Sequence, residues 1–242
     1  MMNQENQQQP LPLHGMFTAV PPRYDLINHI ITLGMDTGWR KLAARTCTET
    51  KPQRILDIGC GTGDLSINIA KLAAKETEII GLDYSQPMLD IARQKAEKAG
   101  LGGRISFTFG DASQLPFPDE YFDCAGISFA FRNLTYNNRL CPQHLAEVKR
   151  VLKPGGRYVI VESSQPGNRL IRTFFHLYLR GFVSPAGMWL SGNKGAYKYL
   201  AESAVHYYMP RQVKGLLMGA GFHDIRYRPL FFGASGLHIA YK

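Results

Sequence analysis

Glycines alternate at positions 59, 61 and 63, and the residue after them is Asp64. They follow Ile55, Leu56 and Ile58 in the segment RILDIGCGTGD. An apolar strand that runs into closely spaced glycines delivers its end to a ligand, because a residue without Cβ lets another group come close. The spacing GxGxG departs from the dinucleotide fingerprint GxGxxG at the position held by Asp64. A carboxylate at a helix start repels a pyrophosphate, which needs bare helix-terminal amides. The turn therefore predicts a nucleoside carrying a cation, with Asp64 adding negative potential beside it. A tight strand-to-helix turn with no ligand uses the same spacing, so the glycines do not decide alone.

Two further acids continue the pattern. Asp83 closes the apolar run EIIGL, and its carboxylate can accept hydrogen bonds from ribose hydroxyls. Its other use is as a charge favouring the start of the helix near Gln86. Asp111 closes a third run in GDASQLPFPD, where it can take the exocyclic amine of adenine while Ala112 leaves room for the ring. Three such strand ends in succession place a nucleoside along one crevice outside a sheet.

The elements that must position these residues alternate. Helical spacing over 65–75, an apolar run over 78–82, an amphipathic stretch over 86–99 with Lys95 and Lys98 exposed, and strands over 105–109 and 122–131 follow the turn. A helix over 144–152, a turn at 153–156 (KPGG), a strand over 158–161 ending at Glu162, and final strands near 224–227 and 236–241 complete the chain. Alternating units of this length predict an α/β fold, a parallel sheet with helices on both faces. At 242 residues one such domain is expected over 16–242. Residues 1–15, rich in Gln and Asn with Pro10 and Pro12, are expected to be a disordered tail. Residues 16–50 suit two short helices broken at Gly34, either a flap over the site or a layer packed on the sheet. Residues 163–209 break the strand rhythm and predict a helical cap insertion.

Cys47, Cys60, Cys124 and Cys141 form no CxxC or metal-ligand pair, which predicts reduced thiols and no metal site. Nothing reads as a secretory leader or as an apolar run of about 18 residues, so a cytoplasmic chain is expected. Residues 1–120 hold 12 Lys and Arg against 14 Asp and Glu, whereas residues 121–242 hold 16 against 5. The second half therefore faces something negative, whether nucleic acid, anionic lipid or an acidic substrate, or is charged for solubility. Within the cap, Arg169, Arg172, His176 and Arg180 fall on one helical stripe among aromatics. That pattern suits a helix lying on an anionic membrane surface, or a buried cap helix with one solvated stripe.

The glycine turn and the two acid-ended strands resemble the class I S-adenosylmethionine-dependent methyltransferases over residues 50–165. ILDIGCGTGDLS, ISFAFRNLT, RVLKPGGRYVIVESSQP, YKYLAESAVHYYMP and AGFHDIRYRPLFFGASGLHIAYK are similar to the demethylmenaquinone and polyprenyl-benzoquinol C-methyltransferases, a resemblance running from Met16 to Lys242. It implies a Rossmann-like, mostly parallel seven-stranded sheet and S-adenosylmethionine as cofactor. The positions it implies for that cofactor are Gly59, Gly61, Thr62, Asp83, Asp111, Ala112 and Ser128. Asp57 either anchors the methionine end or is a satisfied turn carboxylate. Arg132 and Asn133 are implied to face the reacting ring, and Tyr24 and Tyr199 to line the substrate pocket. The implied acceptor is a polyprenyl hydroquinone, demethylmenaquinol or a benzoquinol, reached from the inner face of the membrane, with a homodimer as a further expectation. Its rivals are a methyltransferase of RNA or of an unrelated small molecule, and a non-catalytic scaffold. SFAF in place of an Asn/Asp-Pro-Pro-aromatic element counts against nucleic acid, and intact Arg132 and Asn133 count against the scaffold. A few extra residues between Asn133 and Val151 depart from the family pattern beside this catalytic edge.

Overall fold

A computed structural model describes residues 24–191 and 201–242. Seven strands form one sheet: β1 (Arg54–Ile58), β2 (Glu78–Asp83), β3 (Ser106–Phe109), β4 (Phe122–Ser128), β5 (Leu152–Ser163), β6 (His223–Leu230) and β7 (Ser235–Tyr241). Their order is β3-β2-β1-β4-β5-β7-β6. The first five pair in parallel, and β7 lies antiparallel between β5 and β6. The chain builds outward from β1 to β3 and then returns to place β4 on the other side of β1. Ligands of such sheets bind outside the strand ends at that reversal, and there the ends of β1, β2, β3 and β4 converge.

Helices cover both faces, as the alternation of strand residues requires. They are α1 (Tyr24–Ile31), α2 (Met35–Thr48), α3 (Asp64–Leu72), α4 (Gln86–Lys98), α5 (Phe131–Thr135), α6 (Cys141–Val151), α7 (Arg169–Tyr178), α8 (Ser184–Ser191) and α9 (Pro210–Gly219). Leu56, Ile58, Leu82 and Ile160 pack on one face against Leu145 and Val148 of α6 and Val213 and Leu217 of α9. Ile55, Ile79 and Val159 pack on the other against Ala43, Ala44 and Cys47 of α2 and Leu65 and Ile69 of α3. A third cluster joins Ile31 to Leu179, Val183, Ala201 and Ala204. The Tyr178 hydroxyl also donates to the Ile31 carbonyl at 2.8 Å, so the segment before β1 and the segment after β5 hold each other.

The sheet and its two helical layers follow the sequence expectation, and four element boundaries differ. β4 stops at Ser128 rather than at residue 131, because Phe129 turns into the left-handed region at φ 57° and Phe131 begins α5. The KPGG segment, expected as a turn between elements, lies inside β5. Its bulge shifts the β4 register between Phe122–Leu152 and Cys124–Arg157, and it bonds to the C-terminus through Gly155 N to Lys242 O and Lys242 N to Gly156 O, each 2.9 Å. α6 begins at Cys141 rather than 144, and α3 ends at Leu72 rather than 75. The two helices before β1 break at Gly34 as expected, with φ 75°. The expected tail and residues 192–200 of the expected cap lie outside the described residues.

Gly59 and Gly61 both adopt positive φ, 60° and 53°. A Cβ built on Gly59 would stand 2.9 Å from the Ala130 Cβ, whereas one on Gly61 meets nothing within 4 Å. Gly59→Ala is expected to lose about 3 kcal/mol, the sum of left-handed strain and overpacking, and Gly61→Ala about 1 kcal/mol from strain alone. Urea unfolding of both variants checks the order.

Candidate functional site

The site begins with the backbone at the end of β1. All three glycines of the turn take positive φ, with Gly63 at 82° capping α3. Asp83 holds this turn from the next strand. One of its oxygens accepts the Gly61 amide and the other the Ser85 amide, each at 2.8 Å. Burial raises its pKa, against the pull of those amides. A carboxylate has about four acceptor sites, so bracing the turn leaves lone pairs for ribose hydroxyls.

Asp57 is fully buried beneath the same turn. Its Oδ2 accepts from the Ser66 hydroxyl at 2.5 Å, while Oδ1 is buried without a partner. Burial pushes its pKa up to about 7, with the Ser66 hydrogen bonds opposing. Ser128, the last residue of β4, likewise keeps a buried hydroxyl without a partner. Asp111 uses one oxygen on the Ser113 amide at 2.8 Å, and Ala112 beside it is buried. Asp57, Gly59, Gly61, Thr62, Asp83, Asp111, Ala112 and Ser128 all line one cavity of about 610 Å³. Buried polar atoms without partners are rare in folded proteins and call for a ligand or water. Three carboxylates with two unpartnered oxygens nearby fit a cationic nucleoside such as S-adenosylmethionine.

Two sequence expectations change here. Lys95, expected in solvent, turns inward: its ammonium contacts Asp25 at 2.8 Å, Thr62 Oγ1 at 3.2 Å and Asp64. Asp64, expected to add negative potential, is neutralised by Lys95 and lies 3.9 Å from Arg40. The Thr62 hydroxyl donates to Asp25 of α1 at 2.7 Å. Its first partner is thus a helix that closes over the cavity rather than the cavity's contents. Asp25 carries no signal in the sequence, because an acid in the first turn of a short helix reads as dipole compensation.

Arg132 and Asn133 line the cavity from α5. The Arg132 amide donates to Glu162 Oε2 at 3.0 Å, and its Nη1 to Ser163 Oγ at 2.8 Å. Ser163 Oγ in turn donates to Glu162 Oε1 at 2.6 Å. The guanidinium is therefore anchored from one side through the end of β5, while its buried Nε has no partner. The segment after α5 supports the neighbouring residue: Asn138 Nδ2 donates to the Asn133 carbonyl at 2.9 Å, and Asn138 and Leu140 reach the cavity. Tyr24 is the first residue of α1, with its side chain outside the described part, and Tyr199 lies outside the described residues.

His144 was not among the sequence candidates. It is buried on α6, lines the cavity and bonds through Nδ1 to the Leu134 carbonyl at 2.9 Å. A carbonyl only accepts, so Nδ1 carries the proton and Nε2 is left as an acceptor. Burial lowers its pKa and keeps it neutral, partly offset by Leu134 and the Asp111 charge. Trp39 and Arg40 of α2, and Phe174, Phe231 and Phe232 at the far end, complete a lining that is acidic at the glycine turn and apolar beyond Arg132. Among the described residues no cluster of three or more His, Cys, Asp or Glu could hold a metal.

Known proteins match this arrangement. The description of the ubiE/COQ5 methyltransferase family fits residues 1–242. A demethylmenaquinone methyltransferase of Deinococcus radiodurans is 42% identical over 94% of this chain and 91% of its own length. A protein of the same name from Thermus thermophilus is 40% identical, covering 93% and 98%. The ubiquinone/menaquinone biosynthesis C-methyltransferase UbiE of Geobacter sulfurreducens is 34% identical, covering 95% and 88%. Among solved structures, a SAM dependent methyltransferase from Aquifex aeolicus superposes with a TM-score of 0.56 at 19% identity, covering 78% of this chain and 81% of that one.

Glu162 accepts from Arg132 N, Ser163 N and Ser163 Oγ while almost fully buried. Glu162→Ala removes all three bonds at a buried carboxylate, so it is expected to cost about 3–5 kcal/mol. Ser163→Ala removes the guanidinium contact and the hydroxyl's own bond to Glu162 but leaves the two backbone amides on that carboxylate, and is expected to cost about 2 kcal/mol. Denaturant unfolding reads both.

Proposed function

The chain belongs to the ubiE/COQ5 methyltransferase family, and from that premise we propose that it methylates a ring carbon of a polyprenyl hydroquinone, with demethylmenaquinol as acceptor. It is an S-adenosylmethionine-dependent methyltransferase of the class I fold. The observation that carries the acceptor is the two-ended cavity, acidic at the glycine turn and apolar beyond Arg132 and Asn133. The Deinococcus and Thermus relatives, both called demethylmenaquinone methyltransferases, support the naphthoquinol. The Geobacter relative's name covers both ring types and supports a benzoquinol as the second reading.

Bound S-adenosylmethionine supplies a methyl group already activated on a sulfonium. The chain's own work is to align a nucleophilic carbon and exclude water. Asp83 and Asp111 are the acceptors for ribose and adenine amine, and Asp57 with its free Oδ1 is the acceptor for the cationic methionine end. A hydroquinone carbon becomes nucleophilic as its neighbouring hydroxyl gives up a proton, so charge develops on that ring oxygen. Arg132 stays charged and is a poor base. Anchored through Ser163 and Glu162, it stabilises that oxygen without reorganising, and Asn133 orients the ring. The ring proton displaced by the methyl group leaves to solvent or to a cavity water.

Among the described residues no helix is long and apolar enough to cross a membrane. An acceptor with a polyprenyl tail resides in a bilayer, so this reading includes peripheral contact with the anionic inner face of the membrane.

Turnover is expected with reduced demethylmenaquinol under anaerobic conditions and to vanish with the oxidised quinone, since only the hydroquinone is electron-rich. No product from either reduced naphthoquinol or reduced benzoquinol contradicts the reading. Arg132→Lys loses the fixed fork, so kcat is expected to fall by about 100-fold or more with cofactor affinity retained.

The Asp57 carboxyl sets a pH signature. Its native pKa of about 7 lies above the ordinary carboxylate value of 3.8. Between those values the folded apoprotein holds a proton that the unfolded chain has released, so its contribution to stability falls as pH rises through this window and levels off above about 7. A cation beside Oδ1 favours the ionised form. Cofactor binding at about pH 6 should therefore release a proton, and affinity should rise with pH up to about 7. Calorimetry in buffers of different ionisation enthalpy measures the release, which Asp57→Asn should abolish.

A further inference from the structure

Among the exposed apolar side chains that line the cavity are Leu33, Phe174, Phe231 and Phe232. Phe232 is 74% exposed, Phe174 64% and Leu33 62%. Side chains that both line a cavity and face solvent form its rim. The rim continues along α7, where Leu170 and Leu177 are exposed one turn to either side of Phe174 and no residue of the helix is buried. On the other side the turn between β6 and β7 presents Phe231 and Phe232 at φ 43° and 55°. Bulky residues rarely adopt that backbone region, and here it displays two phenyl rings where no core needs them.

The charge beside this rim has one sign. α7 contains no acidic residue, and Arg169 and Arg172 on it form no ion pair among the described residues. Arg228, exposed on β6 close before the phenylalanine pair, has none either. The basic stripe expected from sequence is only half available, since Arg180 pairs with Glu202 and His176 bonds to Gln165. What α7 turns outward is the apolar stripe of Leu170, Phe174 and Leu177, beside the exposed Arg169 and the half-buried Arg172. An apolar rim with unpaired cations at its border complements the interface of an anionic bilayer, where phenyl rings enter the acyl boundary and guanidinium groups stay at the phosphates.

We propose that the phenylalanine turn and the outer stripe of α7 together insert into an anionic membrane surface, placing the cavity mouth against the acyl chains so that a polyprenyl tail enters without crossing water. This rests on the hydroquinone reading for the tail, but the docking surface itself stands on the rim and its charge.

The test is flotation of the full chain with vesicles of phosphatidylcholine alone or mixed equally with phosphatidylglycerol, at low and physiological salt. The wild type is expected to bind the anionic vesicles, with about fivefold weaker binding for each arginine lost in Arg169→Ser and Arg172→Ser. The combined variant Leu170→Ser, Phe174→Ser, Phe232→Ser should bind at least tenfold more weakly on both compositions. Its melting temperature should stay near wild type, because these side chains are exposed. Wild-type protein that fails to bind anionic vesicles, or a triple variant that binds as wild type does, overturns the proposal. So does a concentration-dependent dimer, without vesicle binding, that the triple variant dissolves, for the rim would then be covered by a second copy. A parallel assay with a short-chain, water-soluble hydroquinone separates the two claims. Methylation there without vesicle binding overturns the docking surface and leaves the activity. Vesicle binding lost in the triple variant, with no methylation of any hydroquinone, supports the docking surface and overturns the activity.

Discussion

Asp83 ties the end of β2 to the turn after β1, accepting the amides of Gly61 and Ser85 on its two oxygens. Together with the Cys60 amide, which donates to the Leu82 carbonyl at 3.0 Å, that brace fixes the turn across the strand ends, where three alternating positive-φ glycines would leave a free chain many other conformations. The rest of the site is arranged around it. Asp57 lies buried below the turn, Thr62 and Asp64 face the latch formed by Asp25 and Lys95, and Ala130 fills the space that a side chain at position 59 would need. The carboxylate thus acts first on backbone and only with its remaining lone pairs on a ligand.

The cavity built on this turn has two chemical characters. Its acidic end concentrates Asp57, Asp83 and Asp111, and its outer end is lined by residues such as Ile171, Phe175 and Phe231. Arg132, just after β4, is one of two arginines among the described lining residues, with Arg40, and it is anchored through Ser163 to Glu162 rather than left in solvent. Burying such a group costs more than its hydrogen bonds return unless each contact is met. A guanidinium held in this way is a fixed field, suited to an oxygen that gains charge during reaction.

Much of this was legible in the sequence. Strand ends at Asp83 and Asp111 carry their meaning locally, because an apolar run followed by an acid or glycine marks both the element and its open end. Gly34 and Gly59 announce their turns for the same reason. What remained hidden depends on distant partners. Lys95 reads as a solvent-facing helix residue until α1 brings Asp25 to it, and His144 reads only as the start of a helix until Leu134 fixes its tautomer. Glu162 was visible as a strand end, but its hold on Arg132 needed the parallel pairing of β4 with β5. The KPGG segment misled because its glycines predict a turn, whereas the bulge keeps it paired with the C-terminus.

In the proposed reaction the methyl group goes to carbon on a ring whose oxygen is stabilised by Arg132. The most direct measurement is the position of a deuterated methyl group carried from labelled S-adenosylmethionine to reduced demethylmenaquinol, read by mass spectrometry and NMR of the isolated product. A ring carbon bearing the labelled methyl in place of its hydrogen is expected. A labelled methyl ether, or label recovered only in unreacted cofactor, would contradict it.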